Sequence, residues 1–234
     1  MNIFFSDFVF VDLTHQLDEG VPTWEGESGF RYNISMDYED GARVIDYYMC
    51  AGIGTHIDAP AHFFKDKATV GDLKIEDFFV SAYVLDISNK VESKFDYMIS
   101  IKDLQEFESR YGNIEQKGVF LAYTGWSNRW PDAKKYRNVD SQGKMRFPGF
   151  SPESADYLLN KNVVGIGIDT LSPDGANYEF PVHKKILGCN KYILENIANL
   201  GIMPPVGSYI VTLPLKIKNG TESPVRVIGF IPKK

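Results

Sequence analysis

Most apolar positions in the chain fall in short runs of strand length, and only a few stretches repeat at helical spacing. Residues 8–14 read as a first strand. Residues 17–30 contain Gly20, Pro22, Gly26 and Gly29 and read as a loop, with Trp24 inside it. Residues 31–36 alternate loosely as a strand leading towards Tyr47 and Tyr48. The β-branched and aromatic run at 80–87 predicts a buried strand. Ser100 predicts a helix N-cap, with Asp103 in the first turn, Leu104, Phe107 and Tyr111 facing the core, and Gly112 as the stop. Residues 119–123 predict another strand, and the polar, irregular stretch 128–148 a long loop.

Further along, Ser151 and Pro152 predict a helix start, with the helix ending near residue 160. Residues 163–169 read as a buried strand whose two glycines, Gly165 and Gly167, admit close neighbours. A short helix is expected over 180–188. The run at 192–197 is apolar except for Glu195. Two strands, 208–215 and 225–231, follow, joined by a turn at Lys218-Asn219-Gly220. Strands outnumber helices about two to one in mixed order, which predicts an α/β fold with a mixed, largely antiparallel sheet rather than a doubly wound parallel one. No linker or repeat divides the chain, so residues 1–234 are expected to form a single domain.

Charge narrows the partners. A net charge of -6 without a basic patch argues against nucleic acid as a partner. The opening Met1-Asn2-Ile3-Phe4-Phe5 is apolar, but it lacks a basic leader and soon meets Asp7 and Asp12. Neither a signal peptide nor a membrane span is expected there. Two cysteines, Cys50 and Cys189, are too few for a disulfide framework, which makes a reducing cytoplasm the default.

The candidate chemistry centres on residues 49–63, which hold His56, Asp58 and His62. On an extended strand His56 and Asp58 point to one face, so an imidazole nitrogen and a carboxylate can converge on a divalent metal. His62, beyond Pro60, would approach from another angle. Alone, the triplet reads first as a polar strand end satisfying nearby backbone, because metal geometry needs more ligands. Glu195, buried if its run is a strand, requires a charged partner or a metal. His183 lies twelve residues before it and, taken alone, reads as a surface or capping histidine. Together, His56, Asp58, His183 and Glu195 supply two nitrogen and two oxygen donors, a set suited to one or two ions of zinc or manganese. Hydroxide made on such an ion could attack a carbonyl, with His62 moving the proton.

Residues 54–63, Gly-Thr-His-Ile-Asp-Ala-Pro-Ala-His-Phe, resemble the G-T-H-x-D-x-P-x-H-F signature of the cyclase family, which includes bacterial kynurenine formamidase and isatin hydrolase. Further matches in order are Thr124-Gly125-Trp126, Phe147-Pro148-Gly149, Gly167-Ile168-Asp169-Thr170, Pro181-Val182-His183, Leu194-Glu195-Asn196 and Ser223-Pro224-Val225-Arg226. The resemblance implies a swivelling β/β/α fold, a homodimer or homotetramer, and hydrolysis of an amide-type C–N bond in a small, aromatic substrate. It also implies that His56, Asp58, His183 and Glu195 bind metal, that His62 is the proton donor and acceptor, and that Trp24 contacts the substrate.

The chain departs from the family at one position. The signature begins H-x-G-T-H, and its first histidine, a metal ligand, is Gly52 here. Cys50, two residues earlier, has the parity to offer a thiolate to the same face, or it is an inert packing residue, as Cys189 is read to be. The missing nitrogen leaves three outcomes open: two metals with water or Cys50 in the gap, one metal, or an inactive relative that only binds a small molecule.

Overall fold

The central strands extend where β-branched and aromatic side chains alternate between two buried faces. The computed structural model describes residues 5–175 and 177–233, so Met1-Asn2-Ile3-Phe4 lies outside the described residues. The strands are β1 (Phe8–Asp12), β2 (Phe30–Met36), β3 (Val44–Met49), β4 (His56–Asp58), β5 (Phe79–Asp86) and β6 (Met98–Ile99). They continue with β7 (Val119–Tyr123), β8 (Gly149–Phe150), β9 (Gly165–Ile168), β10 (Tyr192–Glu195), β11 (Ser208–Pro214) and β12 (Glu222–Pro232). The helices are α1 (Ser88–Ser93), α2 (Ile101–Tyr111), α3 (Ala133–Arg137), α4 (Pro152–Asn160) and α5 (Pro181–Gly188).

The main sheet runs β1-β12-β11-β5-β7-β9-β10-β4, and β4 also pairs with β12. Seven strands therefore close on themselves as a barrel, with β1 added against β12. The fold is α/β and the sheet is mixed, as expected. The antiparallel character is confined to the flanks, because β5, β7, β9 and β10 run parallel to one another. Closure was not expected. It depends on β12, which is long enough to meet β4 with its first residues and β1 with its last along one edge, while β11 covers the other.

Alternation along the strands divides the core in two. Val84, Leu121, Leu194 and Ile57 point into the barrel, while Leu85, Phe120, Ile166 and Ile193 point outward under the helices. The outer layer takes Leu104 and Phe107 from α2, Leu158 from α4, and Val182, Ile186 and Leu187 from α5. Each such side chain, fully buried, contributes roughly 1.5–3 kcal/mol. A Cβ on Gly167 would lie 2.7 Å from both Leu121 and Ile197, so glycine is what lets the barrel interior fill at that point.

Local signals set several boundaries. Ser100 and Asp103 form a reciprocal capping box at the start of α2, and Ser151 caps α4 with Pro152 in its first turn. Tyr111, expected in the core, is 46% exposed on the last turn of α2, where its ring packs against Phe107. The stretch 128–148 is not a featureless loop. Asp132 caps α3, and Tyr136, Met145 and Phe147 are buried. Strands β2 and β3 form a separate two-stranded hairpin that exposes Tyr32, Tyr47, Tyr48 and Met49. Among the described residues no helix is long and apolar enough to cross a membrane.

Candidate metal centre

Strand β4 is only three residues long, and its alternation decides the site. Ile57 turns into the barrel, so His56 and Asp58 turn outward towards α5. In the antiparallel pairing with β10, Glu195 lies opposite His56 and Ile193 opposite Asp58. Directly opposed residues share a face, so Glu195 joins them. Phe180-Pro181 opens α5 and delivers His183 from above.

The four side chains expected to act together do converge. His56 Nε2 lies 3.4 Å from Asp58 Oδ1 and 3.4 Å from Glu195 Oε2. His183 Nε2 lies 3.4 Å from Asp58 Oδ2 and 3.1 Å from Glu195 Oε1. All four residues are at least nine-tenths buried. Both oxygens of Asp58 and Oε1 of Glu195 lack a hydrogen-bond partner, although buried polar atoms normally have one.

Neighbours fix which imidazole nitrogen faces this cluster. His56 Nδ1 donates to the Gly54 carbonyl at 2.9 Å, which also accepts from Asn196 Nδ2. His183 Nδ1 donates to Asp174 Oδ2 at 2.6 Å, and the Asp174 carboxylate also accepts the Val182 and His183 amides. Each ring therefore presents Nε2 inward, the orientation a metal ligand needs. Tyr136 adds a further layer by donating to the Asp169 carbonyl and the Asn196 side chain.

The electrostatics call for positive charge. Burial alone would push His56 and His183 down, but Asp58 and Glu195 beside the first, and Asp174, Asp58 and Glu195 beside the second, hold both well above the usual histidine range. Burial would likewise raise Asp58, yet the two imidazoles hold it well below the usual carboxylate range. A proton on each ring or a metal cation between them meets the same demand. The donor set thus fits a divalent ion: Asp58, His183 and Glu195 each offer one atom, all within 4.8 Å of one another.

Above the cluster opens a cavity of about 360 Å³ whose walls include Trp24, Phe63 and Phe180. Trp24 packs edge-on to Tyr178 and tilted against Phe180, and Arg137 donates to its carbonyl. His62 ends a short 3-10 turn, Pro60–His62, at the cavity wall, with Nδ1 3.2 Å from Glu222 Oε2. Burial lowers the affinity of His62 for a proton, and the bond to Glu222 together with the negative charges of Asp58 and Glu222 more than offsets this, leaving it above the usual range.

Cys50 does not fill the gap beside Gly52. It is exposed, its amide donates to Gly29, and it joins neither group of three candidate ligands found among the described residues. The backbone turns between Cys50 and Gly52, so the shared strand parity expected of them does not hold. Cys189 is also exposed rather than packed. The space beside Gly52 holds Glu222 instead. Sequence reasoning missed Glu222, a strand-end glutamate whose meaning depends on β12 pairing with β4.

The Cyclase family model matches residues 11–175. The chain is 30% identical over 242 residues to an isatin hydrolase of Roseibium aggregatum, covering 95% of this chain and 92% of that protein. It is 32% identical over 225 residues to a kynurenine formamidase of Geobacillus thermodenitrificans, covering 92% and 94% respectively. In structure it is similar to isatin hydrolase A from Ralstonia solanacearum, with a TM-score of 0.91 and 30% identity over 97% of this chain and 93% of that one.

Proposed function

The chain belongs to the cyclase family, and from that premise we propose that it is a metal-dependent hydrolase cleaving a non-peptide, amide-type C–N bond in a small, aromatic substrate. The observation that carries this reading is Asp58, almost wholly buried, with both oxygens unpartnered and an imidazole on either side. His56, Asp58, His183 and Glu195 would hold the metal, with zinc as the first candidate and manganese as the second, in one or two ions. Such a metal, when bound, polarises a carbonyl and lowers the pKa of water.

The chain's own residues account for the rest of the chemistry. Trp24, Phe63 and Phe180 offer an aromatic ring three flat walls, which orient a planar substrate with its carbonyl towards the carboxylate floor. His62 takes the proton from the attacking water and returns it to the leaving nitrogen, so the C–N bond breaks as an amine departs rather than an amide anion. Glu222, bonded to Nδ1, orients the His62 ring for this exchange. Asp174 and the Gly54 carbonyl keep His183 and His56 turned inward.

The relatives' names suggest two substrates to try, N-formylkynurenine first and isatin second. Purified protein loaded with zinc or manganese should hydrolyse one of them, and a chelator should abolish turnover until metal is restored. No hydrolysis across a panel of formamides, lactams and lactones would count against an enzyme. An inactive binding relative is the second reading, motivated by Gly52, and the grouping of His56, Asp58 and Glu222 beside that glycine favours the enzyme.

The same reading treats residues 1–234 as one hydrolase domain of the swivelling β/β/α type, with no nucleic acid or membrane partner. A homodimer or homotetramer is supported by the exposed apolar side chains of the β2–β3 hairpin, Tyr32, Tyr47 and Met49 on one face and Tyr48 on the other. A cytoplasmic setting is supported by two free, exposed thiols, Cys50 and Cys189.

A further inference from the structure

The structure points to a second cation position, at which we propose that Glu222 is a metal ligand alongside His56 and Asp58, taking the place that Gly52 leaves without a donor. This rests on the metal-dependent reading above and adds a residue that the sequence pattern did not mark.

Strand register delivers the side chain. β12 lies on the side of β4 away from β10, and its antiparallel pairing sets Glu222 directly opposite Asp58 and Pro224 opposite His56. Opposed residues share a face, so Glu222 projects outward with His56 and Asp58 just as Glu195 does from the other side. One donor atom from each of His56, Asp58 and Glu222 lies within 4.8 Å of the other two. Asp58 belongs to this group and also to the group with His183 and Glu195. It is 1% exposed and has two unpartnered oxygens, one near each imidazole. A carboxylate shared in this way suits a pair of metals better than one.

Gly52 is shaped to admit the carboxylate. A Cβ built there would overlap Glu222 Oε1 and lie 3.3 Å from His56 Nε2. Any side chain at position 52 would displace Glu222 from the cluster. The glycine that costs the site a nitrogen donor is therefore the glycine that gives an oxygen donor from β12 its place. Both positions then carry one nitrogen and two oxygens, a composition that favours manganese relative to a nitrogen-rich site.

Glu222 also bonds His62, so its two roles need separating. The full chain would be loaded with zinc and, separately, with manganese, and bound metal counted by elemental analysis after desalting. The expected result is close to two ions per chain for the parent and close to one for Glu222→Gln, with affinity at the lost position down at least about 10-fold. Glu222→Ser is prepared alongside, so that one folded variant, verified by its melting transition, is enough. Two ions held at parental affinity by a folded variant would overturn the inference and leave Glu222 only as an orienter of His62. One ion in the parent would also overturn it. The count is independent of turnover. A parent with two ions and no hydrolysis defeats the proposed function alone, whereas an active parent with one ion defeats this inference alone.

Discussion

Two buried aspartates at strand ends of the same barrel have opposite surroundings. Asp169, just past β9, is wholly buried and fully answered: Thr124 donates from both its amide and its hydroxyl, at 3.0 and 2.6 Å, and the Ser127 amide donates at 3.3 Å. Burial still pushes Asp169 up to about 6. Asp58, at the end of β4, meets no amide or hydroxyl donor among the described residues; two imidazoles lie at 3.4 Å, and those hold it well below the usual range. A satisfied buried carboxylate ties loops together, and an unsatisfied one facing a cavity is placed for a cation.

Substitution should separate the two most sharply in activity. Asp58→Asn is expected to lower kcat/KM by at least about 1,000-fold and to release metal, because it removes the shared donor. Without metal, the same variant should melt below the parent, because the two buried imidazoles lose the carboxylate that they pair with. Metal binding and turnover retained in that variant would place Asp58 with Asp169 as architecture. His62→Ala should lower kcat by about 100- to 10,000-fold and leave the ion count intact. Equal activity in that variant would remove the proton-transfer role.

Asp169→Ala should show the reverse pattern. Stranding the buried Thr124 and Ser127 donors costs roughly 1–3 kcal/mol each when no water reaches them, so a drop in denaturant midpoint with metal binding retained is expected. Metal loss without destabilisation would break the contrast.

The smallest effect concerns the fourth histidine. His15 stacks on Trp130 with ring centroids 4.0 Å apart, its Nε2 has no partner, and burial pushes it down to about 4. Its folded pKa is below the unfolded value, so the unfolded chain binds more protons between about pH 6.5 and 4, and stability falls as pH drops through that window. The parent should lose about 1–2 kcal/mol more than His15→Phe over this range, measured by urea unfolding. Parallel curves would mean that the stacked ring is freely solvated.

Much of this was legible in the sequence where the determinants are local. Capping at Ser100 and Ser151, the strand run at 119–123, and the shared face of His56 and Asp58 each follow from a few neighbouring residues. The family signature then grouped those two with His183 and Glu195, which the fold brings within contact. What could not be read was set by pairing between distant segments. Glu222 looks like an ordinary polar strand end until β12 lies beside β4, and Tyr136 looks like a loop residue until it closes over Asp169 and Asn196. Cys50 had the right spacing for a ligand only if the strand continued through Gly52, and it does not.

The double pairing of β12 has a kinetic meaning. Its first residues join β4 across most of the sequence, so the barrel cannot shut until a contact of very long loop length has formed. Before that step β4 has a neighbour on one side only, and the cavity lacks the wall that carries Glu222. The site therefore depends on closure of the barrel: a chain that has not latched it lacks the wall that holds His62. Once latched, any cation gripped from both sides of that joint favours the shut form by mass action. The same few atoms would then serve chemistry and closure together.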